Sequence, residues 1–273
     1  MSLVKRYALV ETGSKYSTSY AAYFYDNVLK SYISPFHDIP LFNDQKGYLA
    51  HMIVEIPRWT NAKLEINTKS TLNPIKQDVK KGKPRFVNNI FPFHGYPWNY
   101  GALPQTWEDP DYVDLHTGAK GDNDPVDIID IGCPLTQTGN VVIVKIVGCI
   151  ALIDEGETDW KIIGINIDDP RHEKVSCLKT LKDNFPGILD NTIFWLRNYK
   201  VPCGSGQNKF AFEGEYLKDR EFAMEIINCA NISWKALVAR EACPLSLARA
   251  SDPKCDVSKH SVLINEVNIS LNQ

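Results

Sequence analysis

Residues 118–132 read GAKGDNDPVDIIDIG. Asp122, Asp124 and Asp127 fall within six positions, Asp130 follows, and Lys120 is the one nearby cation. In an extended segment side chains alternate with a period of two, so Asp122 and Asp124 are expected on one face. Pro125 interrupts that alternation and re-aims Asp127, after which Ile128, Ile129 and Ile131 run into the core. Carboxylates this close repel one another unless cations sit among them. A hard, oxygen-seeking divalent metal answers that need. A solvated acidic turn is the commoner use of a D-x-D pair, but such turns seldom run straight into an apolar strand. A calcium EF-hand loop is excluded by position. Counted from Asp122, the sixth place holds Asp127 where Gly is required, and the twelfth holds Cys133 where Glu is required.

The rest of the chain sets bounds on this metal-site reading. Its 273 residues suit one large domain or two small ones, and a net charge of −3 points to neither nucleic acid nor membrane as the main partner. No apolar run approaches the length of a membrane span. The leading MSLVKRYALVETGS has no apolar signal core, and Glu11 with little Arg argues against a transit peptide. Cys133, Cys149, Cys177, Cys203, Cys229, Cys243 and Cys255 are scattered and form no C-x-x-C pair, so neither a zinc site nor a disulfide framework is expected. Reduced thiols and a cytoplasmic location follow. No G-x-x-x-x-G-K-[ST] is present, so a nucleotide-binding P-loop is not expected.

Along the chain, YSTSYAAYFYDN alternates like strand material, and SPFHDIP marks a surface loop in which His37 reads as a loop residue, not a ligand. YLAHMIVEIPRWTNAKLEIN predicts two short strands around a turn, with Lys63 and Glu65 on one face and Glu55 late in an apolar strand. By chemistry alone, Glu55, Lys63 and Glu65 suit an ordinary cross-strand ion pairing. NPIKQDVKKGKPRFV predicts a basic loop, and FPFHGYPWNYGALPQTWEDP an ordered loop dense in aromatics, Gly and Pro. NVVIVKIVGCIALID is β-branched enough for one bent strand or two, closed by a hairpin-like DEGETDWK before IIGINI. Asp154 and Asp159 flank that turn with Lys161 beside them, which in most proteins is only a solvent-facing acidic turn. From 176 the apolar spacing nears 3.6 with a break at Pro186-Gly187, predicting two helices, and a short strand and a further amphipathic helix follow. A Lys200 in the last helical turn also suits the helix dipole. His172 reads as structural, and the tail from 241 as irregular.

The motif D-N-D-P-V-D-I resembles, at each of its seven positions, the signature of the family I soluble inorganic pyrophosphatases. The block E-x-P-R-W-T-N-A-K-x-E, from Glu55 to Glu65, and N-Y-G-A-x-P-Q-T-W-E-D-P, from Asn99, are similar to that family's blocks. The resemblance spans roughly residues 45–240 of a single domain, 1–273, with N- and C-terminal extensions like those of the longer, eukaryotic type. It implies an α+β, mainly β fold: a small closed antiparallel barrel, OB-like, with helices packed against it. That agrees with short strands early and helices late.

For the site, the resemblance implies Mg²⁺, several ions per active site with Mn²⁺ or Zn²⁺ able to substitute, held by Asp122, Asp127, Asp154, Asp159, Glu55 and Glu65. It implies Asp124 as the base that accepts a proton from the attacking water. Arg85, Lys63, Lys161, Tyr199, Lys200 and Tyr100 are carried over as groups that hold the phosphoryl oxygens, with Lys63, Arg85 and Tyr100 counted in the catalytic set. A guanidinium suits this because its planar fork matches phosphate oxygens. The substrate implied is inorganic pyrophosphate, hydrolysed to two orthophosphates. The alternatives are another metal-dependent phosphohydrolase, acting on nucleotides or polyphosphate, and a barrel that binds nucleic acid, which an acidic centre speaks against. Members of the eukaryotic type are usually homodimers. Arg58 and Trp59, in a turn with no evident partner for a large ring, are the expected interface, with an intrachain role for Trp59 the alternative.

Overall fold

The computed structural model describes residues 3–44 and 48–252. The last stretch of the tail, with Cys255, therefore lies outside the described residues. A single helical turn, α1 (Leu3–Arg6), leads into β1 (Tyr7–Thr12), β2 (Ala21–Asp26), β3 (Ser31–Ile33), β4 (Leu49–Ile56) and β5 (Leu64–Ile66). Four short strands follow: β6 (Ile75–Gln77), β7 (Val79–Lys80), β8 (Lys83–Pro84) and β9 (Asn99–Ala102). Then come β10 (Asp127–Asp130), β11 (Val141–Asp154) and β12 (Glu157–Asn166). Helices α2 (Leu178–Asn184) and α3 (Ile188–Asn198), strands β13 (Lys209–Phe210) and β14 (Leu217–Asp219), and helix α4 (Arg220–Val238) complete the order.

Five strands close a hydrogen-bonded ring: β4 pairs β9, β9 pairs β10, β10 pairs β12, β12 pairs β11, and β11 returns to β4. The expected mainly β class with helices outside therefore holds. One pairing departs from the antiparallel expectation: β10 runs parallel to β12, setting Asp127 beside Lys161. A second sheet, β1-β2-β6-β5 with β3 on β2, packs against the ring.

Why the ring strands read as near-continuous apolar runs is explained by burial on both faces. On β11, Val147, Ile150 and Leu152 join the larger core with the second sheet and α3, while Val144, Ile146, Cys149 and Ala151 face α4. The single long β11 is the bent strand of the two alternatives, with its irregularity between Ile146 and Gly148. Helix α4 is capped by Asp219, whose carboxylate accepts the Phe222 N–H at 3.1 Å, and it buries Ala223, Ile226, Ile227 and Ala230.

Three local expectations are corrected. The SPFHDIP loop is not at the surface: Ser34, Phe36, His37 and Ile39 are buried, and His37 is 1% exposed. The basic segment is not a plain loop but carries β6, β7 and β8, and the aromatic segment contains β9. These strands are two to four residues long, and the pairing of neighbours rather than their own pattern makes them strands.

Candidate active site

Asp122 to Asp127 do not form the extended segment that alternation predicted. Asp122 Oδ1 accepts the Asp124 N–H at 3.0 Å, an Asx-turn, and Asn123 takes a left-handed φ of 73°, which Asn tolerates. Backbone bonds from Asn123 N to Glu108 O (2.9 Å) and from Glu108 N to Asp124 O (3.0 Å) lace this turn to the neighbouring loop. A turn, not strand periodicity, aims the two carboxylates.

The other side chains arrive from strands on both sheets and from the end of α3. The β4–β9 register slips between Val54 and Ile56, a bulge that turns Glu55 out of the ladder, where Oε1 accepts the Ile66 N–H at 2.7 Å. Strands β11 and β12 meet at Glu155 (φ 50°) and Gly156 (φ 96°), the two left-handed residues of a type I′ turn, leaving Asp154 and Asp159 on either side. Tyr100 comes from β9, and Arg85 follows β8 directly. Tyr199 caps the C-terminus of α3, with Lys200 next.

All thirteen residues singled out in the sequence line one cavity of about 140 Å³: Glu55, Lys63, Glu65, Arg85, Tyr100, Asp122, Asp124, Asp127, Asp154, Asp159, Lys161, Tyr199 and Lys200. His172 does not line it. Lysines and carboxylates interlock there. Lys63 pairs with Glu65 and lies 3.6 Å from Asp78, which also holds Arg85 at 3.0 Å. Lys161 pairs with both Asp127 and Asp159 and donates to the Tyr100 hydroxyl at 2.9 Å, while that hydroxyl donates to Asp127. Lys200 pairs with Asp154, to which the Tyr199 hydroxyl also donates at 3.0 Å. The Asp124 carboxylate stands apart. It is exposed to the cleft and makes no hydrogen bond or ion pair among the described residues.

Electrostatics follow from crowding. Glu55, Glu108 and Asp122 are pushed well above the ordinary carboxylate range, by loss of solvation first and by a facing acid second. Though open to the cleft, Asp124 is walled by protein, and loss of solvation with Glu65 beside it raises its pKa to about 7. Loss of solvation at Asp159 outweighs the Lys161 ammonium and raises it to about 7 as well. At Lys63 and Lys161 burial works toward the neutral amine, but Glu65 and Asp127 overcome it and keep both charged.

Two residues of this site escaped the sequence reading. Glu108 offers a carboxylate oxygen within 4.8 Å of those of Asp122 and Asp159, and its Oε2 is buried with no hydrogen-bond partner among the described residues. Tyr96 lines the cavity, and burial moves its hydroxyl up to about 12 against the opposing pull of the Lys63 and Arg85 charges. Both lie inside segments quoted above, but nothing local marked them.

The donor set fits a hard divalent cation. Seven carboxylates against four cations line the cavity, all the acidic donors are oxygens, and the orphaned Glu108 oxygen lacks the positive partner its burial calls for.

With this geometry in hand, the comparisons with known proteins are direct. Residues 52–235 match the family model described as inorganic pyrophosphatase. The chain is 50% identical over 252 residues to the inorganic pyrophosphatase of Homo sapiens, covering 90% of this chain and 86% of that one. It is 47% identical over 272 residues to the mitochondrial inorganic pyrophosphatase 2 of Mus musculus, covering 94% of this chain and 82% of that one. The solved inorganic pyrophosphatase of Schistosoma japonicum superposes with a TM-score of 0.86 at 46% identity, covering 90% of this chain and 87% of that one. A family match across most of the chain, and half the residues shared over nine tenths of it, agree with the cavity: this chain belongs to the inorganic pyrophosphatase family.

Proposed function

We propose that this chain hydrolyses inorganic pyrophosphate to two orthophosphates, with Asp124 as the base and with Mg²⁺ held by Asp122, Asp127, Asp154, Asp159, Glu55 and Glu65. The observation that carries the reading is the single cavity in which seven carboxylates face four cations, in a chain of this family. Bound magnesium ions would shield the substrate's charge and acidify a water in the cleft. The all-oxygen donors favour Mg²⁺ or Mn²⁺ over Zn²⁺, which takes nitrogen and sulfur readily.

The chain's own groups divide the remaining work. Asp124 has a carboxylate open to the cleft and committed to no partner, so it is free to take the proton of the attacking water. Arg85, Lys63, Lys161 and Lys200 turn from their carboxylates to phosphoryl oxygens and neutralise charge as the phosphoanhydride bond breaks. The Tyr100 and Tyr199 hydroxyls orient those oxygens. Trp195 stacks on Tyr199 with ring centroids 4.7 Å apart and planes 2° from parallel, which fixes that hydroxyl's approach.

Several finer readings belong with this proposal. The chain acts as one domain, 1–273, with its core at 45–240, and as a homodimer through Arg58 and Trp59. Trp59 is 56% exposed and left-handed at φ 62°, with the Arg58 guanidinium 5.6 Å from its ring, which supports an interface over an intrachain role. No helix among the described residues is long and apolar enough to cross a membrane. We place the enzyme in the cytoplasm, and the likeness to a mitochondrial relative makes fractionation the check. The deciding assay is phosphate release from pyrophosphate and from ATP, each with Mg²⁺, Mn²⁺ or no metal. Release from pyrophosphate alone, dependent on metal, is expected. Turnover of ATP or polyphosphate in preference to pyrophosphate would replace this reading with the broader phosphohydrolase.

A further inference from the structure

Between Asp78 and Arg85 the chain leaves the cleft wall as the small hairpin of β7 and β8. Its base is fixed. Arg85 N donates to Asp78 O at 2.8 Å, and the Arg85 guanidinium lies 3.0 Å from the Asp78 carboxylate. Since Arg85 lines the active-site cavity, the whole hairpin lies within about four residue lengths of it, roughly 13 Å. Lys81 (φ 53°) and Gly82 (φ 74°) form its two-residue type I′ turn.

Stability does not account for what this hairpin carries. Lys80, Lys81 and Lys83 are exposed, and among the described residues no acid pairs with any of them. Asp78, the acid nearest in sequence, is already committed to Lys63 and Arg85. Lys80 and Lys83 stand directly opposite each other in the ladder, where like charges destabilise. None of the described residues packs within 4 Å of the space beside Gly82 at the tip. The hairpin thus offers three positive charges at a cost to the fold. Elsewhere in the cavity lining, exposed Asp124 is acidic and would repel an arriving anion.

We propose that Lys80, Lys81 and Lys83 form an electrostatic lip that draws the pyrophosphate anion to the Arg85 side of the cleft, raising the association rate without touching the reacting atoms. This rests on the function proposed above. The separations involved are close to the ~10 Å Debye length at 0.1 M salt, so the effect is strong at low salt and screened at high salt.

The test uses the full chain carrying Lys80→Gln, Lys81→Gln and Lys83→Gln together. A control of equal charge change carries Lys174→Gln, Lys179→Gln and Lys182→Gln, exposed residues outside the cavity lining. Association of methylenediphosphonate, which is not hydrolysed, is followed with Mg²⁺ by stopped-flow tryptophan fluorescence, with Trp195 in the cavity wall as reporter. The lip variant should associate about 3- to 10-fold more slowly at roughly 20 mM salt, with a flatter salt dependence, and match the parent near about 0.5 M. Its kcat for pyrophosphate should be unchanged while kcat/KM falls in step. An association rate and salt slope equal to the parent's would overturn the proposal, as would an equal fall in the control or a fall that persists at high salt. If the parent does not hydrolyse pyrophosphate, the function proposal fails by itself, and the diphosphonate association rate still decides the lip.

Discussion

Asp124 differs from every other acid of the cleft in having no committed partner, and that isolation defines its test. Asn at 124 keeps the shape and can still hydrogen-bond, but it cannot take a proton. Asp124→Asn should lower kcat by about 10²- to 10⁴-fold, leave Mg²⁺ affinity nearly intact and move the acid limb of the pH–rate profile upward. Near-normal turnover, or a defect relieved by added Mg²⁺, would remove Asp124 from the role of base. Lys200 and Asp127 separate substrate grip from metal binding in the same spirit. Lys200→Ala should raise KM while leaving calorimetric Mg²⁺ binding without substrate unchanged, whereas Asp127→Ala should weaken that binding about tenfold or more. Equal losses of Mg²⁺ binding in both would contradict the division. At this scale the central acids were legible because three carboxylates in six positions need an external cation whatever the fold. Glu108 was not, because Asp122 meets it only through the loop-to-turn backbone bonds and Asp159 only after β12 has paired with β10.

At the scale of elements, the site depends on how closely strands approach. A Cβ at Gly101, on β9, would sit 1.9 Å from the Ile53 carbonyl oxygen of β4. Only Gly lets the two strands pair beside the bulge that frees Glu55, with Tyr100 adjacent. Gly101→Ala should therefore cost about 1–3 kcal/mol of stability, read as a lower urea midpoint, and should weaken catalysis further by displacing Tyr100. An unchanged midpoint would mean that β4 and β9 can separate without loss. The long apolar strands and the helices could be read from the sequence because their periodicity runs over many residues. Strands β6 to β9 could not, since two to four residues beside Pro and Gly hold no period. The Asx-turn at Asp122 was hidden for a related reason: its geometry comes from one side-chain-to-backbone bond, which a strand template does not represent.

On the scale of the whole molecule, two features join distant parts. Arg58 donates to the carbonyl oxygens of Asp130 and Gly132, so the exposed Trp59 turn is anchored to the strand that carries Asp127. Sedimentation at micromolar concentration should show a dimer that Trp59→Ser shifts toward monomer, and a monomeric parent would reject the interface. The second feature is His37, which holds the segment around Ser246. Its Nε2 lies 3.0 Å from Ser246 O, and Trp234 Nε1 donates to its Nδ1 at 2.9 Å, so the ring is neutral with its proton on Nε2. Reading the SPFHDIP segment as polar surface missed this, because the segment that covers it arrives from 200 residues away. Burial lowers the His37 pKa from 6.5 to about 4, with the nearby Arg249 adding to the shift. A proton on Nδ1 would face the Trp234 N–H, setting two donors against each other. The unfolded chain binds that proton below about pH 6.5 and the folded chain does not until about pH 4, so stability present above 6.5 is lost as pH falls across this window. The loss should reach about 3 kcal/mol, and His37→Gln, which cannot titrate, should flatten that part of the stability–pH curve. Urea midpoints measured from pH 7 to pH 4 decide it: parallel curves for parent and variant would mean that His37 is not the group that loosens this clasp in acid.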